Sequence, residues 1–128
     1  MSKFYVSPFT GEHLNKKGNL DKHLLKGLST KGVPKELKNT VFPFEYGNFK
    51  QFLQIIKKRN IGIVKMEVAR NVKPNQKFLK FVRQQCNKNK IILIFDECTS
   101  GFRQSFGGMH KLLKINPDIA VFGKSLGC

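Results

Sequence analysis

From residue 40 onward the apolar positions switch between two spacings. Residues 41–46, V-F-P-F-E-Y, form a short aromatic run interrupted by Pro43, which suits a sheet-edge or strand-entry position. Phe49, Phe52, Leu53 and Ile56 then fall at i, i+3, i+4 and i+7, the stripe of a helix. Asn48 stands ready to cap it, and Lys57, Lys58 and Arg59 complement the negative end of its dipole. Residues 63–68 predict the next strand, with Glu67 at its end. Pro74 and Asn75 open a second helix whose apolar stripe is Phe78, Leu79, Val82 and Cys86, with Asn89 as a left-handed stop. Five apolar residues, 91–95, run straight into Asp96, the pattern of a strand buried on both faces with an acid at its carboxyl end. A glycine-rich loop follows through Gly107 and Gly108, then a short helix over 109–115 and a strand over 119–122.

Strands separated by helices predict an α/β fold with a mainly parallel sheet, arranged in three layers. The first 40 residues are less regular. Residues 20–28 suit a short amphipathic helix capped by Asn19, residues 30–38 suit a loop, and no opening strand stands out.

Composition narrows the class. A chain of 128 residues, 40% hydrophobic with twelve Phe and no Trp, supports one globular core rather than disorder. No apolar run approaches the roughly 20 residues of a membrane span, and the N-terminus lacks a signal-like apolar stretch. Cys86, Cys98 and Cys128 have neither C-x-x-C spacing nor a nearby histidine, so a reduced cytoplasmic protein without zinc or a disulfide framework is expected. The net charge of +16 raises nucleic acid as a partner, and a basic non-enzymatic binding module is the alternative reading. Against it, 20 of the 24 basic residues are scattered lysines, whereas arginine is the side chain suited to bidentate base contacts. A solvated basic surface, with neither a specific nucleic-acid nor a membrane partner, is the expectation.

The chemistry concentrates at two places. Asp96 ends the strand I-I-L-I-F-D-E, and Lys124 follows 28 positions later in I-A-V-F-G-K-S-L-G, after the next short apolar run. An acid and an amine thus reach the carboxyl edge of one sheet, where open parallel sheets bind ligands. A phosphate-loop ATPase fails on spacing, because G-x-x-x-x-G-K-[ST] needs glycine where Asp118 stands, and on order, because the loop should precede the Asp-Glu strand. Pyridoxal phosphate fits better. It needs a lysine to condense with its aldehyde, and an acid that keeps its pyridine nitrogen protonated.

At these residues the chain resembles class III aminotransferases, of fold type I, and among them the glutamate-1-semialdehyde aminomutase type. The stretch I-I-L-I-F-D-E-C-T-S-G-F-R, a G-G pair and N-P-D-I-A-V-F-G-K-S-L-G occur in the family's order. Upstream, K-G-V-P-K at 31–35 and V-K-M-E-V-A-R-N at 64–71 extend the likeness over residues 30–128.

The resemblance implies amino-group transfer or 1,2-amino migration on a small amino or keto substrate, either an amino-acid semialdehyde or a keto-sugar. It implies that Lys124 forms the Schiff base with pyridoxal 5'-phosphate and shuttles the substrate proton, and that Asp96 pairs with the pyridinium. Cys98 stands where the family commonly packs Val on the ring. Asn71 matches an Asn near the phenolic oxygen, and Glu67 an acid at the strand end. Gly101 and Arg103 are expected to shape a loop. A phosphate-cradling Gly-Ser/Thr loop and its stacking aromatic find no match in residues 1–39. The expectation is therefore a partial large domain over 1–128, without the phosphate-loop region and the C-terminal small domain, inactive alone and derived from a homodimeric parent.

Overall fold

The computed structural model describes residues 40–69 and 73–126, Pro34, and the backbone of 4–9. The chain divides into two compact units, Met1–Gly62 and Ile63–Cys128. Residues 20–28 and nearly all of 30–38 lie outside the described residues.

The first unit holds two parallel strands, β1 (Phe4–Phe9) and β2 (Val41–Glu45), paired from Tyr5↔Val41 to Phe9↔Glu45. β1 corrects the expectation that no opening strand exists. Ser7 and Pro8 interrupt its apolar run, and proline withholds one amide donor from the ladder, so the segment reads as coil in sequence. Helix α1 (Phe49–Lys58) follows β2 as its period predicts. The Asn48 side chain caps it by accepting from the Gln51 amide at 3.0 Å. Phe52 is its buried residue and meets Phe44 of β2 edge to face at 5.1 Å between centroids. Past the helix end the Arg59 guanidinium lies 4.9 Å over the Phe42 ring, so one of the basic residues covers apolar surface.

In the second unit three strands run parallel: β3 (Ile61–Glu67, crossing the unit boundary), β4 (Ile92–Asp96) and β5 (Ile119–Val121). Helix α2 (Gln76–Asn89) links the first two, and α3 (Met109–Leu113) precedes the third. The fold class is α/β with a mainly parallel sheet, as the spacing predicts. Asn75 caps α2 through the Phe78 amide at 3.0 Å, and Phe78, Leu79, Val82 and Cys86 are buried. Burial pushes the Cys86 thiol up to about 12, so it stays a neutral apolar filler.

Three expectations need correcting. The left-handed stop of α2 is Lys90 (φ 55°), not Asn89, which stays helical and donates its amide to the Gln85 carbonyl at 2.8 Å. Helix α3 ends at Leu113, two residues early, because Lys114 turns left-handed (φ 55°) and its N–H closes on the His110 and Lys111 carbonyls. And β4 is not covered on both faces. Leu93 and Phe95 are fully buried on the face against α2, while Ile92 on the other face is 44% exposed among the described residues.

Asp118 ties α2, β4 and β5 together. Its carboxylate accepts from the Leu93 amide at 2.7 Å and from Arg83 Nη1 at 2.9 Å, while its own N–H reaches the Leu93 carbonyl at 2.9 Å. Asp118→Ala leaves the Leu93 amide without this acceptor. The side chain is half exposed, so the ion pair contributes little, and the expected loss is about 1 kcal/mol, read as a lower urea midpoint.

Candidate active site

Register fixes the first part of the site. Glu67 and Asp96 are paired positions at the carboxyl ends of β3 and β4, and Asp96 is in turn paired with Val121 of β5. Parallel strands end together, so side chains from all three reach one edge. Among the described residues the second unit therefore carries its chemistry there.

Asp96 is half-buried, and each of its oxygens has a partner. Its Oδ2 lies 2.9 Å from Lys65 Nζ, and its Oδ1 accepts from the Cys98 amide at 3.1 Å. Burial alone would raise its pKa, but the Lys65 ammonium and the Cys98 hydrogen bonds together outweigh it and hold the carboxyl below its usual range. The carboxylate is ionised at neutral pH. Glu67, beside it in register, is half-buried.

Cys98 lies beside the acid, its amide on Asp96 Oδ1. A hydrogen bond to Asp96 raises its pKa, helped by desolvation and the Asp96 charge, against the lowering influence of Lys124 and Lys65. The thiol is thus neutral. The loop after β5 passes close by: a methyl group added at Gly123 would lie 3.2 Å from Cys98 Sγ.

Lys124 follows in left-handed backbone (φ 53°), a conformation that costs a side-chain-bearing residue roughly 1–2 kcal/mol. Such a residue at the edge of a site is where strain is commonly kept. Its exposed Nζ donates to Thr99 Oγ1 at 3.0 Å, which draws the amine back over the β4 end. Asp96, Cys98 and Lys124 are accordingly brought together. Asn71 lies outside the described residues.

Behind this edge stands a group that sequence reading passed over. Glu97, fully buried, points away from Asp96 into the loop that follows. Its Oε1 accepts from the His110 amide at 2.9 Å and meets His110 Nδ1 at 2.8 Å, and its Oε2 accepts from the Met109 amide at 3.0 Å and from the Ser100 hydroxyl. An ionised carboxylate only accepts, so the His110 proton is on Nδ1. Gly108 is what allows this closeness, because a Cβ there would come within 2.5 Å of Glu97 Oε1. Meanwhile the Glu97 amide donates to the Val121 carbonyl at 2.8 Å, closing β4 onto β5. Arg103 is exposed and Gly101 packs on the Phe122 ring, as suits loop-shaping roles. Two further site residues, Lys65 and Thr99, were also missed. Lys65 was legible from period two, since it shares a strand face with Glu67; the Thr99 contact depends on a loop path that spacing does not encode.

Comparison with known proteins gives a family, relatives and a fold. Residues 70–128 match the family described as aminotransferase class-III. The chain is 33% identical over 104 residues to a glutamate-1-semialdehyde 2,1-aminomutase of Methanobrevibacter smithii, covering 77% of this chain and 25% of the relative. It is 34% identical over 103 residues to a 3-aminobutyryl-CoA aminotransferase of Cloacimonas acidaminovorans, covering 74% and 25%. The chain thus spans about a quarter of the length of these relatives. An omega-transaminase from Sphaerobacter thermophilus superposes with a TM-score of 0.72 at 20% identity, over 95% of this chain and 31% of that one. A transaminase with PLP bound gives 0.73 at 17% identity, over 95% and 31%. At these identities the two structures establish a shared fold. No helix among the described residues is long and apolar enough to cross a membrane.

Proposed function

We propose that this chain, whose residues 70–128 match class-III aminotransferases, carries the acid and the amine of a pyridoxal phosphate site serving amino-group transfer or 1,2-amino migration. One observation carries the reading. Asp96 and Lys124 follow neighbouring strands and meet at the 98–99 turn, where Asp96 Oδ1 accepts from the Cys98 amide at 3.1 Å and Lys124 Nζ donates to Thr99 Oγ1 at 3.0 Å.

The residues suit the group. Asp96 is ionised and half-buried, and a carboxylate with two occupied positions keeps lone pairs for a ring N–H. A buried carboxylate is tolerable when a cation faces it, which a pyridinium supplies. The neutral Cys98 thiol offers a soft surface for a ring. Bound there, pyridoxal phosphate would contribute an aldehyde for amine exchange and a ring that accepts electrons from the substrate's α-carbon.

The chain's own groups then divide the work. Lys124 would supply the amine that holds the cofactor's aldehyde, and the same Nζ would serve as the base for the substrate's α-proton. Asp96 would hold a proton on the ring nitrogen. Glu67 lends negative charge beside Asp96, and Asn71 is assigned to the phenolic oxygen. Substrates are small amino or keto compounds, an amino-acid semialdehyde or a keto-sugar. In this reading the 128 residues are part of a cofactor-binding large domain. Turnover belongs to a longer, homodimeric assembly, and the chain by itself is inactive.

The test uses the purified chain. After mixing with pyridoxal phosphate and reduction with borohydride, peptide mass spectrometry should find the label on Lys124. Twenty lysines compete for the aldehyde, so label spread evenly among them would remove the assignment.

A further inference from the structure

The ion pair at Asp96 has a partner that the reaction does not call for. Lys65 Nζ stands 2.9 Å from Asp96 Oδ2, on a side chain 40% exposed against 19% for Asp96. Period two puts Lys65 on the same face of β3 as Glu67, and the register Glu67↔Asp96 carries its long side chain to the β4 carboxylate. The second oxygen is fixed by the Cys98 amide at 3.1 Å. Asp96 is therefore oriented and charge-balanced before any ring arrives.

We infer that Lys65 is a tuning residue: its ammonium competes with a pyridinium for Asp96, weakening cofactor binding and lowering the basicity of the bound ring nitrogen. This rests on the pyridoxal phosphate reading above. Two cations must share one carboxylate, and in a partly buried site their repulsion is only incompletely screened. A ring nitrogen that loses its proton more readily is a weaker electron sink, which makes Lys65 a control on how far charge spreads from the substrate carbon into the ring.

The charge, rather than the bulk, is the cause, and substitution separates the two. Lys65→Gln keeps length and a hydrogen-bond donor but removes the cation, and Lys65→Met removes both. Lys65→Arg keeps the cation. In the cofactor-free chain, a carbon-13 titration of the Asp96 carboxyl should show a higher pKa in the Gln and Met variants than in the wild type or the Arg variant. The dissociation constant for pyridoxal phosphate, followed by absorbance, should fall roughly tenfold in the Gln and Met variants, the effect of about one unit in ring-nitrogen basicity. For the analogue with carbon in place of the ring nitrogen, wild type and variants should bind alike.

An Asp96 titration unmoved by Lys65→Gln overturns the inference, as does a gain in affinity that persists with the carbon analogue. If the wild type and every variant fail to bind pyridoxal phosphate, the functional reading falls and this inference with it. A changed Asp96 titration with unchanged affinity for pyridoxal phosphate overturns the inference alone. Should Lys65→Met unfold, the Gln variant decides.

Discussion

Lys124→Ala abolishes the borohydride-stable label on the peptide spanning residue 124, while the chain stays folded. The expectation rests on the conformation of the residue as much as on its amine. Lys124 holds φ 53° at the exposed edge of the site, and its Nζ donates to the hydroxyl of Thr99. Water replaces that exposed contact, so alanine costs little stability, within about 0.5 kcal/mol. Lys124→Gly goes further, because glycine adopts left-handed backbone without the Cβ clash, and it should add about 1 kcal/mol of stability, read as a higher urea midpoint. Two variants that move stability differently, or not at all, yet lose the label equally, assign the loss to the missing amine. Retention of label on other lysines at wild-type total stoichiometry would show that pyridoxal phosphate reacts with the surface alone.

Much of this site was readable because parallel sheets encode position in periodicity. Five apolar residues ending in Asp96 specify a strand and its carboxyl end, and a second short apolar run does the same for Lys124. The neighbour relation between those strands then follows from short helical connections. What periodicity does not carry is loop path. Glu97 follows Asp96 directly and by alternation turns to the opposite side, so it reads as an ordinary strand-end acid. Its burial depends on the chain returning through Gly108 to bring two amides and His110 onto it. Lys65 hid for another reason, being one of twenty lysines whose default is solvent. The strand β1 was missed because Ser7 and Pro8 break the alternation that identifies strands. The two-sided burial expected for β4 is incomplete among the described residues, because an apolar run specifies a buried strand only where something packs on each face, and Ile92 is 44% exposed there.

Glu97→Gln is the substitution with the largest expected cost in stability, on the order of 3 kcal/mol at neutral pH. The side chain is fully buried and accepts from two amides, a hydroxyl and a ring N–H, four donors converging on two oxygens. Glutamine has the same shape but turns one acceptor into an NH2 group facing donors, which leaves both sides unsatisfied in a dry environment. Against a typical total of 5–15 kcal/mol, such a loss is large. The pH dependence carries a sign that separates this from simple packing damage. Burial would raise the Glu97 pKa, but the bonds from Ser100, His110 and Met109 outweigh it and hold it below the ordinary 4.5. A depressed acid contributes stability that is present above its unfolded pKa and lost as pH falls through the folded one. The wild type should therefore lose stability progressively below about pH 4.5, as Asp96 and Asp118, both held below 3.8, add their own losses lower still. Glu97→Gln lacks the first of these losses. Its urea midpoint should lie far below that of the wild type at pH 7, and the gap should narrow steadily as the acid limb is descended. A gap that stays constant from pH 7 to pH 3 would mean that the carboxylate is not what holds the loop. Because Thr99 and Asp96 flank this network, the same variant should also blur the selectivity of labelling at Lys124.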